Sequence, residues 1–148
     1  MEQMLCTVRV LGVMNQEGAE EKIETISDGF VRMKDGITEF VYKENAVDFQ
    51  EEVRVKITFS DSGSSLAGPE CRIVKKGPVD SDMLFIPGSE TYCTYQTPFG
   101  ELGFEIHTSQ VQLAGEKDVW EGHLEYNLYS AGTLITEAKV WIHVTPRI

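Results

Sequence analysis

Hydroxyl-bearing side chains are concentrated on one predicted strand, which runs from Tyr92 to Thr97. Two polar rows alternate along it, with Tyr92, Thr94 and Gln96 on one face and Cys93, Tyr95 and Thr97 on the other. If the sheet closes into a barrel, one of these rows must point inward, and either row directs hydroxyl groups at the interior. Ligand pockets are mostly apolar with a few polar anchors. The pattern therefore predicts a small-molecule site at Tyr92, Tyr95 and Tyr126, unless these rings simply pack and hydrogen-bond locally.

The histidines lie on the polar faces of the last three predicted strands, at His107, His123 and His143. A loop centred near Gly115 would place the first histidine opposite the second, and a turn at Ala131-Gly132 would place Trp141 beside the second. Two imidazoles and a nearby carboxylate would then come within reach of one zinc ion. We expect no metal site, because an exposed strand face has no dry surroundings to fix the ligands. We expect instead a solvated face on which glutamates lie near the histidines.

Sequence motifs of common enzymes are absent from the chain. It contains no nucleophile elbow, zinc-protease helix or dinucleotide fingerprint. The Ser- and Gly-rich stretch 60–69 has no lysine after its glycines, so it predicts a flexible strand connection rather than a phosphate-binding loop. We expect no catalytic residues and no cofactor.

Length and charge limit the classes of partner. The 148 residues suit one domain, residues 1–148, that can bury a sizeable core. The formal net charge of −11 repels phosphate backbones and anionic lipids. We therefore expect a monomer or homodimer that binds neither nucleic acid nor membranes.

Cysteine usage indicates a reducing compartment. Cys6, Cys71 and Cys93 are odd in number and lack metal-type spacing, so we expect three reduced, partly buried thiols. The N-terminus has no signal-peptide pattern, and no apolar run approaches the length of a membrane span. These features predict a cytoplasmic protein.

Apolar residues recur with a period of two along most of the chain, which is typical of half-buried strands. The alternation predicts a core of ten residues: Val53, Val55, Ile57, Phe59, Leu102, Phe104, Ile106, Leu124, Val140 and Ile142. Asp35-Gly36 predicts a hairpin that pairs Arg32 with Glu39. The acidic stretch 17–24 is interpreted as a solvated connection that leads into a strand. About ten short strands and short loops favour an all-β antiparallel barrel, mostly a meander, over two sandwiched sheets.

Several segments resemble the YwiB-like family of uncharacterised bacterial proteins. They are Tyr92-Cys93-Thr94-Tyr95-Gln96-Thr97-Pro98-Phe99-Gly100-Glu101-Leu102, Gly122-His123-Leu124-Glu125-Tyr126-Asn127-Leu128-Tyr129, Trp141-Ile142-His143-Val144 and, more weakly, Tyr42-Lys43-Glu44. The resemblance spans most of the chain and implies a lipocalin-like, or calycin-like, barrel of about eight to ten strands without an assigned activity. The chain has Lys75-Lys76-Gly77 where the family pattern has an arginine before the glycine, and it lacks the Gly-x-Trp of classical lipocalins.

The sequence thus favours non-catalytic binding of a small hydrophobic molecule inside the barrel. A protein-interaction or structural module that uses the barrel rim or outer face is the alternative, and an enzyme ranks third. A cavity with two or three polar groups would favour the first hypothesis, and a filled interior with an exposed apolar patch would favour the second.

Overall fold

Ten antiparallel strands form the part of the chain described by a computed structural model, which covers residues 2–46, 51–61 and 68–147. Their bounds are β1 Glu2–Gln16, β2 Ala19–Lys34, β3 Ile37–Ala46, β4 Glu51–Ser60, β5 Glu70–Lys76, β6 Asp80–Phe85, β7 Glu90–Thr97, β8 Gly100–Glu116, β9 Val119–Ser130 and β10 Thr133–Pro146. Each strand pairs with its neighbours in the chain, and β1 pairs with β10 to close the barrel. The predicted all-β, closed antiparallel meander is confirmed, and the two-sheet alternative is wrong.

Two-residue turns set the register of the long hairpins. In the described residues, turns with positive φ at both central positions are Glu17–Gly18, Asp35–Gly36, Lys117–Asp118 and Ala131–Gly132. Positive φ at both positions matches the twist of the flanking strands. The predicted pairing of Arg32 with Glu39 is confirmed. The acidic stretch 17–24 is exposed to solvent, as predicted, but only its first two residues form a connection, because residues 19–24 belong to β2 and pair with β1.

The core lies inside the barrel, and alternation assigned most of it correctly. Seven predicted core residues are buried: Val55, Ile57, Phe59, Ile106, Leu124, Val140 and Ile142. Val53 and Phe104 are partly buried against this core. The assignment of Leu102 was wrong, because its side chain is 52% exposed near the start of β8. Alternation gives the face of a strand but not the depth of a residue along the barrel axis.

Aromatic side chains fill one half of the barrel. The Phe40 ring contacts Phe59 and Trp120 edge to face, with centroids 6.2 and 6.0 Å apart. The ring of Phe59 reaches across to Gly122 on β9, where an added Cβ would lie 3.0 Å from its Cζ. This packing leaves space in the opposite half, toward the turns β1–β2, β5–β6 and β9–β10.

The cysteines and the question of a membrane-spanning helix complete the description of the fold. All three cysteines are buried and free, as expected. Within the described residues, there is no helix with the length and apolar character needed to cross a bilayer.

Candidate functional site

A cavity of about 340 Å³ occupies the half of the barrel that the aromatic packing leaves open. Its inner wall is mainly apolar and includes Val10, Ile57, Ile73, Met83, Phe85 and Val140. Pro78 and Val79, from the turn between β5 and β6, line its outer part. The volume lies at the lower end of the range of about 300–1,000 Å³ typical of small-molecule pockets. The cavity therefore has the size and lining for a small apolar body.

A row of polar side chains crosses the wall of this cavity at one level. Register places Tyr42 opposite Val55, Val55 opposite Lys75, Lys75 opposite Ser81, and Ser81 opposite Tyr95. We name the four polar members, Tyr42, Lys75, Ser81 and Tyr95, the polar girdle. All four line the cavity.

The next level inward is entirely apolar. There Phe40 pairs with Ile57, Ile57 with Ile73, and Ile73 with Met83. The polar girdle therefore lies between an apolar inner wall and the outer residues Pro78 and Val79.

Most hydroxyl groups on the cavity wall have no hydrogen-bond partner among the described residues. Tyr42, Ser81 and Tyr126 are only 4%, 9% and 8% exposed, and among the described residues their hydroxyls make no hydrogen bond. The Tyr95 hydroxyl donates to Met83 Sδ at 3.3 Å, and a thioether is a weak acceptor. Burial raises the pKa of Tyr42, Tyr95 and Tyr126, so these phenols remain protonated donors at neutral pH.

An ion pair completes the polar part of the cavity. Lys75 Nζ lies 3.5 Å from Glu44 Oε1, and the Glu44 side chain is only 18% exposed. Both residues line the cavity, whereas the adjacent Lys76 is exposed on the outer face. Glu44 also raises the pKa of Tyr42, although burial is the larger cause. The residue pair Lys75-Lys76 thus directs one lysine into the barrel and one into solvent.

The structure separates the three tyrosines that the sequence grouped. Tyr95 and Tyr126 line the cavity. The placement of Tyr92 in this site was wrong, because its side chain is 69% exposed on the outer face. Its ring lies across Gly103 of the neighbouring strand, where any Cβ would collide with the phenol. Positions 92 and 95 differ by an odd number on one strand, so their side chains must point to opposite faces.

The predicted pairing of His107 with His123 was also wrong. The β8–β9 turn is centred on Lys117–Asp118, later in the chain than expected, and it pairs His107 with Asn127. The expected contact between His123 and Trp141 is confirmed, with ring centroids 5.0 Å apart. The two histidines are therefore out of register and do not form the two-imidazole zinc site that was considered.

A charged cluster does occur around His107 on the outer face. Its ring nitrogens lie 3.6 Å from Glu90 Oε1 and 3.5 Å from Glu105 Oε2, and one ligand atom from each residue falls within 4.8 Å of the others. The ring also packs on Tyr129, at a centroid distance of 4.3 Å. Each ring nitrogen of His107 therefore faces one carboxylate, and the three side chains form a polar cluster on the barrel surface.

Sequence reasoning missed Tyr42, Glu44, Lys75 and Ser81. One pattern in the sequence could have identified Glu44. The Asp35–Gly36 hairpin puts Phe40 and Tyr42 on the inner face, and continuing that alternation by two residues places Glu44 inside the barrel. A carboxylate at an inward position is unusual enough to mark a site.

Comparison with known proteins agrees with this fold. The model of a family described as a domain of unknown function, DUF1934, matches residues 8–142. The chain belongs to this family. The DUF1934 chain is also similar to a solved structure, the ywiB protein from Bacillus subtilis, with a TM-score of 0.83 and 20% identity over 99% of this chain and 94% of that one. The resemblance to the YwiB-like family is thereby confirmed, and at this identity the structural match shows the fold alone. Comparison with curated proteins gave no significant match.

Proposed function

We propose that this DUF1934 barrel binds a small, largely apolar molecule in its cavity, without catalysing a reaction on it. The observation that supports this proposal is a cavity of about 340 Å³ that combines an apolar inner wall with hydroxyls that face the cavity and have no partner among the described residues. Barrel diameter grows with strand number, and eight strands already leave room for one small ligand. Ten strands therefore supply enough width, provided that side chains do not fill it.

The hydroxyls distinguish this cavity from an ordinary packing void. Buried polar groups nearly always have a hydrogen-bond partner, and an unpaired one costs about 1–3 kcal/mol. The hydroxyls of Tyr42, Ser81 and Tyr126 lack a partner among the described residues and are accessible from the cavity, so water or a ligand group can complete them. A ligand with an apolar body and one polar end would satisfy both the wall and the hydroxyls.

Two other functions are less well supported. An interaction module would use the outer face, where Leu5, Phe30 and Val41 lie opposite one another across β1, β2 and β3. Leu5 is 51% and Phe30 is 37% exposed. An enzyme ranks third, because apart from the Lys75–Glu44 pair the cavity offers mainly protonated phenols.

We further propose that the barrel acts without nucleic acid or membrane partners, as a monomer or homodimer in the cytoplasm. The net charge of −11 supports the first part, because it repels polyanions. Three free, buried thiols support a reducing compartment.

Binding of an uncharged apolar probe tests the main proposal. We expect 1-methylnaphthalene, titrated by fluorescence, to bind the wild-type protein in a saturable manner with one site per chain. Gly12 lines the cavity, and an added Cβ there would meet no atom closer than 3.8 Å. The Gly12→Leu variant should therefore fold and lose the probe site. Failure of the wild-type protein to bind, or equal binding by Gly12→Leu, would contradict the proposal.

A further inference from the structure

We infer that the cavity selects ligands whose polar end is an uncharged hydrogen-bond acceptor, such as the carbonyl of an amide, ester or ketone, and that Lys75 and Glu44 determine this selection. The inference rests on the proposed binding function and names the chemical class of the ligand. It concerns the contacts of one end of the ligand, whereas the proposed function concerns the cavity that holds its body.

Several hydrogen-bond donors are available at the level of the polar girdle. Tyr42 and Ser81 each offer a hydroxyl proton and are almost completely buried. The ammonium group of Lys75 has three N–H donors, and the contact with Glu44 at 3.5 Å engages only one of them. An acceptor atom placed at this level can therefore receive hydrogen bonds from two or three directions.

Glu44 disfavours a negatively charged acceptor. Its carboxylate faces the cavity beside Lys75, on the outer side of the polar girdle, and already neutralises that charge. A ligand carboxylate that approached Lys75 would also approach Glu44, and the two like charges would repel each other at this short distance, although the 43% exposure of the Lys75 side chain weakens the repulsion. Glu21 lies on the same face of β2 as Ile23, which lines the cavity. A neutral carbonyl oxygen accepts the same hydrogen bonds without this repulsion.

Lys75 in turn disfavours a positively charged ligand. An ammonium group could reach Glu44 only next to the ammonium of Lys75, because the two side chains are in contact. The hydroxyls of the girdle would then also have to act as acceptors. The ion pair therefore works against head groups of either charge.

A series of probes with one apolar body and different head groups tests the inference. The probes are 2-(1-naphthyl)acetamide, 1-naphthylacetate, 2-(1-naphthyl)ethylamine and 1-methylnaphthalene, titrated by fluorescence at pH 7. We expect the wild-type protein to bind the acetamide at least about tenfold more tightly than the acetate or the amine. We also expect it to bind the acetamide more tightly than 1-methylnaphthalene.

Three variants assign the selectivity to the ion pair. Glu44→Gln should improve acetate binding relative to acetamide at least about tenfold, because it removes the repelling carboxylate. Lys75→Met should reduce the advantage of the acetamide over 1-methylnaphthalene, with the Tyr42 and Ser81 hydroxyls left as donors, and improve relative binding of the amine. Lys76→Met removes the same charge from the outer face and should leave every ratio unchanged. Denaturant melts establish that each variant is folded, and either folded cavity variant is sufficient for the test.

The outcomes separate the inference from the proposed function. If 1-methylnaphthalene binds and the wild-type protein takes acetate as tightly as acetamide, the inference fails and the binding function stands. Unchanged ratios in folded Glu44→Gln or Lys75→Met overturn the inference in the same way. If no probe binds the wild-type protein, both fail.

Discussion

Gly12 lies on the cavity wall, where a larger side chain would occupy space that the proposed ligand needs. Its backbone does not require glycine, because its φ lies outside the positive range and an added Cβ meets Met14 Cε at 3.8 Å and the Ile23 carbonyl oxygen at 3.9 Å. These are ordinary van der Waals distances. We therefore expect Gly12→Leu to stabilise the barrel while it removes the ligand site, as happens where function requires an imperfectly packed region.

The expected increase in the free energy of unfolding of Gly12→Leu is the sum of three contributions. Replacing a strand glycine by alanine is worth roughly 0.5–1 kcal/mol. The three further carbons of leucine contribute about 0.8 kcal/mol each when buried, and their lost rotamer freedom costs about 0.5–1 kcal/mol. With allowance for incomplete contact, the free energy of unfolding should rise by about 2 kcal/mol. For a domain of this size, that corresponds to an increase in Tm of about 4–8 °C.

Gly29 provides a matched control on the adjacent strand. It is also a buried glycine of the inner face, but an added Cβ would lie 2.8 Å from Tyr42 Cβ and even closer to the Val41 carbonyl oxygen. Gly29→Ala should therefore lose about 1–3 kcal/mol through overpacking. Urea melts of both variants, run beside the wild-type protein, measure the two changes.

The free energy of unfolding should rise in Gly12→Leu and fall in Gly29→Ala, and either opposite result would contradict the structure at that position. If Gly12→Leu lost more than about 1 kcal/mol, the space beside Gly12 would be absent and the cavity argument would be wrong. If Gly29→Ala were neutral, the close approach between β2 and β3 would be wrong instead.

Three other predictions concern the core, the outer face and pH. Phe104→Ala should lower the free energy of unfolding by about 2–3 kcal/mol in urea melts, because its half-buried ring packs edge to face on Tyr95, with centroids 5.2 Å apart. Leu102→Ala should lower it by less than about 1 kcal/mol, because that side chain is largely exposed. Equal losses would mean that the depth of these residues along the barrel was misjudged. Tyr92→Ala should cost about 1 kcal/mol by uncovering the glycine beneath it, and a loss of probe binding in that variant would place the site on the wrong face. Burial raises the pKa of Cys6 from 9.0 to about 11 and raises that of Cys71 further, so unfolding releases protons above pH 9. The contribution of these thiols to stability should be complete below pH 9 and fall as the pH rises through 11. A free energy of unfolding that stays constant in melts between pH 8 and 11 would refute this.

Local rules predicted the fold well because they act on neighbouring residues. Asp35–Gly36 has one favoured hairpin geometry, and that geometry paired Arg32 with Glu39. Alternation likewise identified most of the core, because one face of each strand must be buried. These signals need no knowledge of distant parts of the chain.

The site was harder to predict because it depends on register summed around the barrel. Lys75 and Glu44 are thirty-one residues apart and meet only through two successive strand pairings. The histidine pairing failed for the same reason, because a small displacement of the turn after β8 changed every partner. Tyr92 failed for a simpler reason, since its distance from Tyr95 along the strand already placed the two rings on opposite faces.

Native mass spectrometry of the freshly purified protein tests the central claim most directly, because it weighs the chain together with anything held in the cavity. We expect the wild-type protein to carry a neutral species that is released on denaturation, or to take up 2-(1-naphthyl)acetamide as one molecule per chain. Gly12→Leu, purified in parallel, should appear only at the mass of the bare chain under both conditions. A wild-type protein that stays at the bare mass in the presence of the probe, or a Gly12→Leu variant that retains the same adduct, would contradict the claim that the barrel interior is a ligand site.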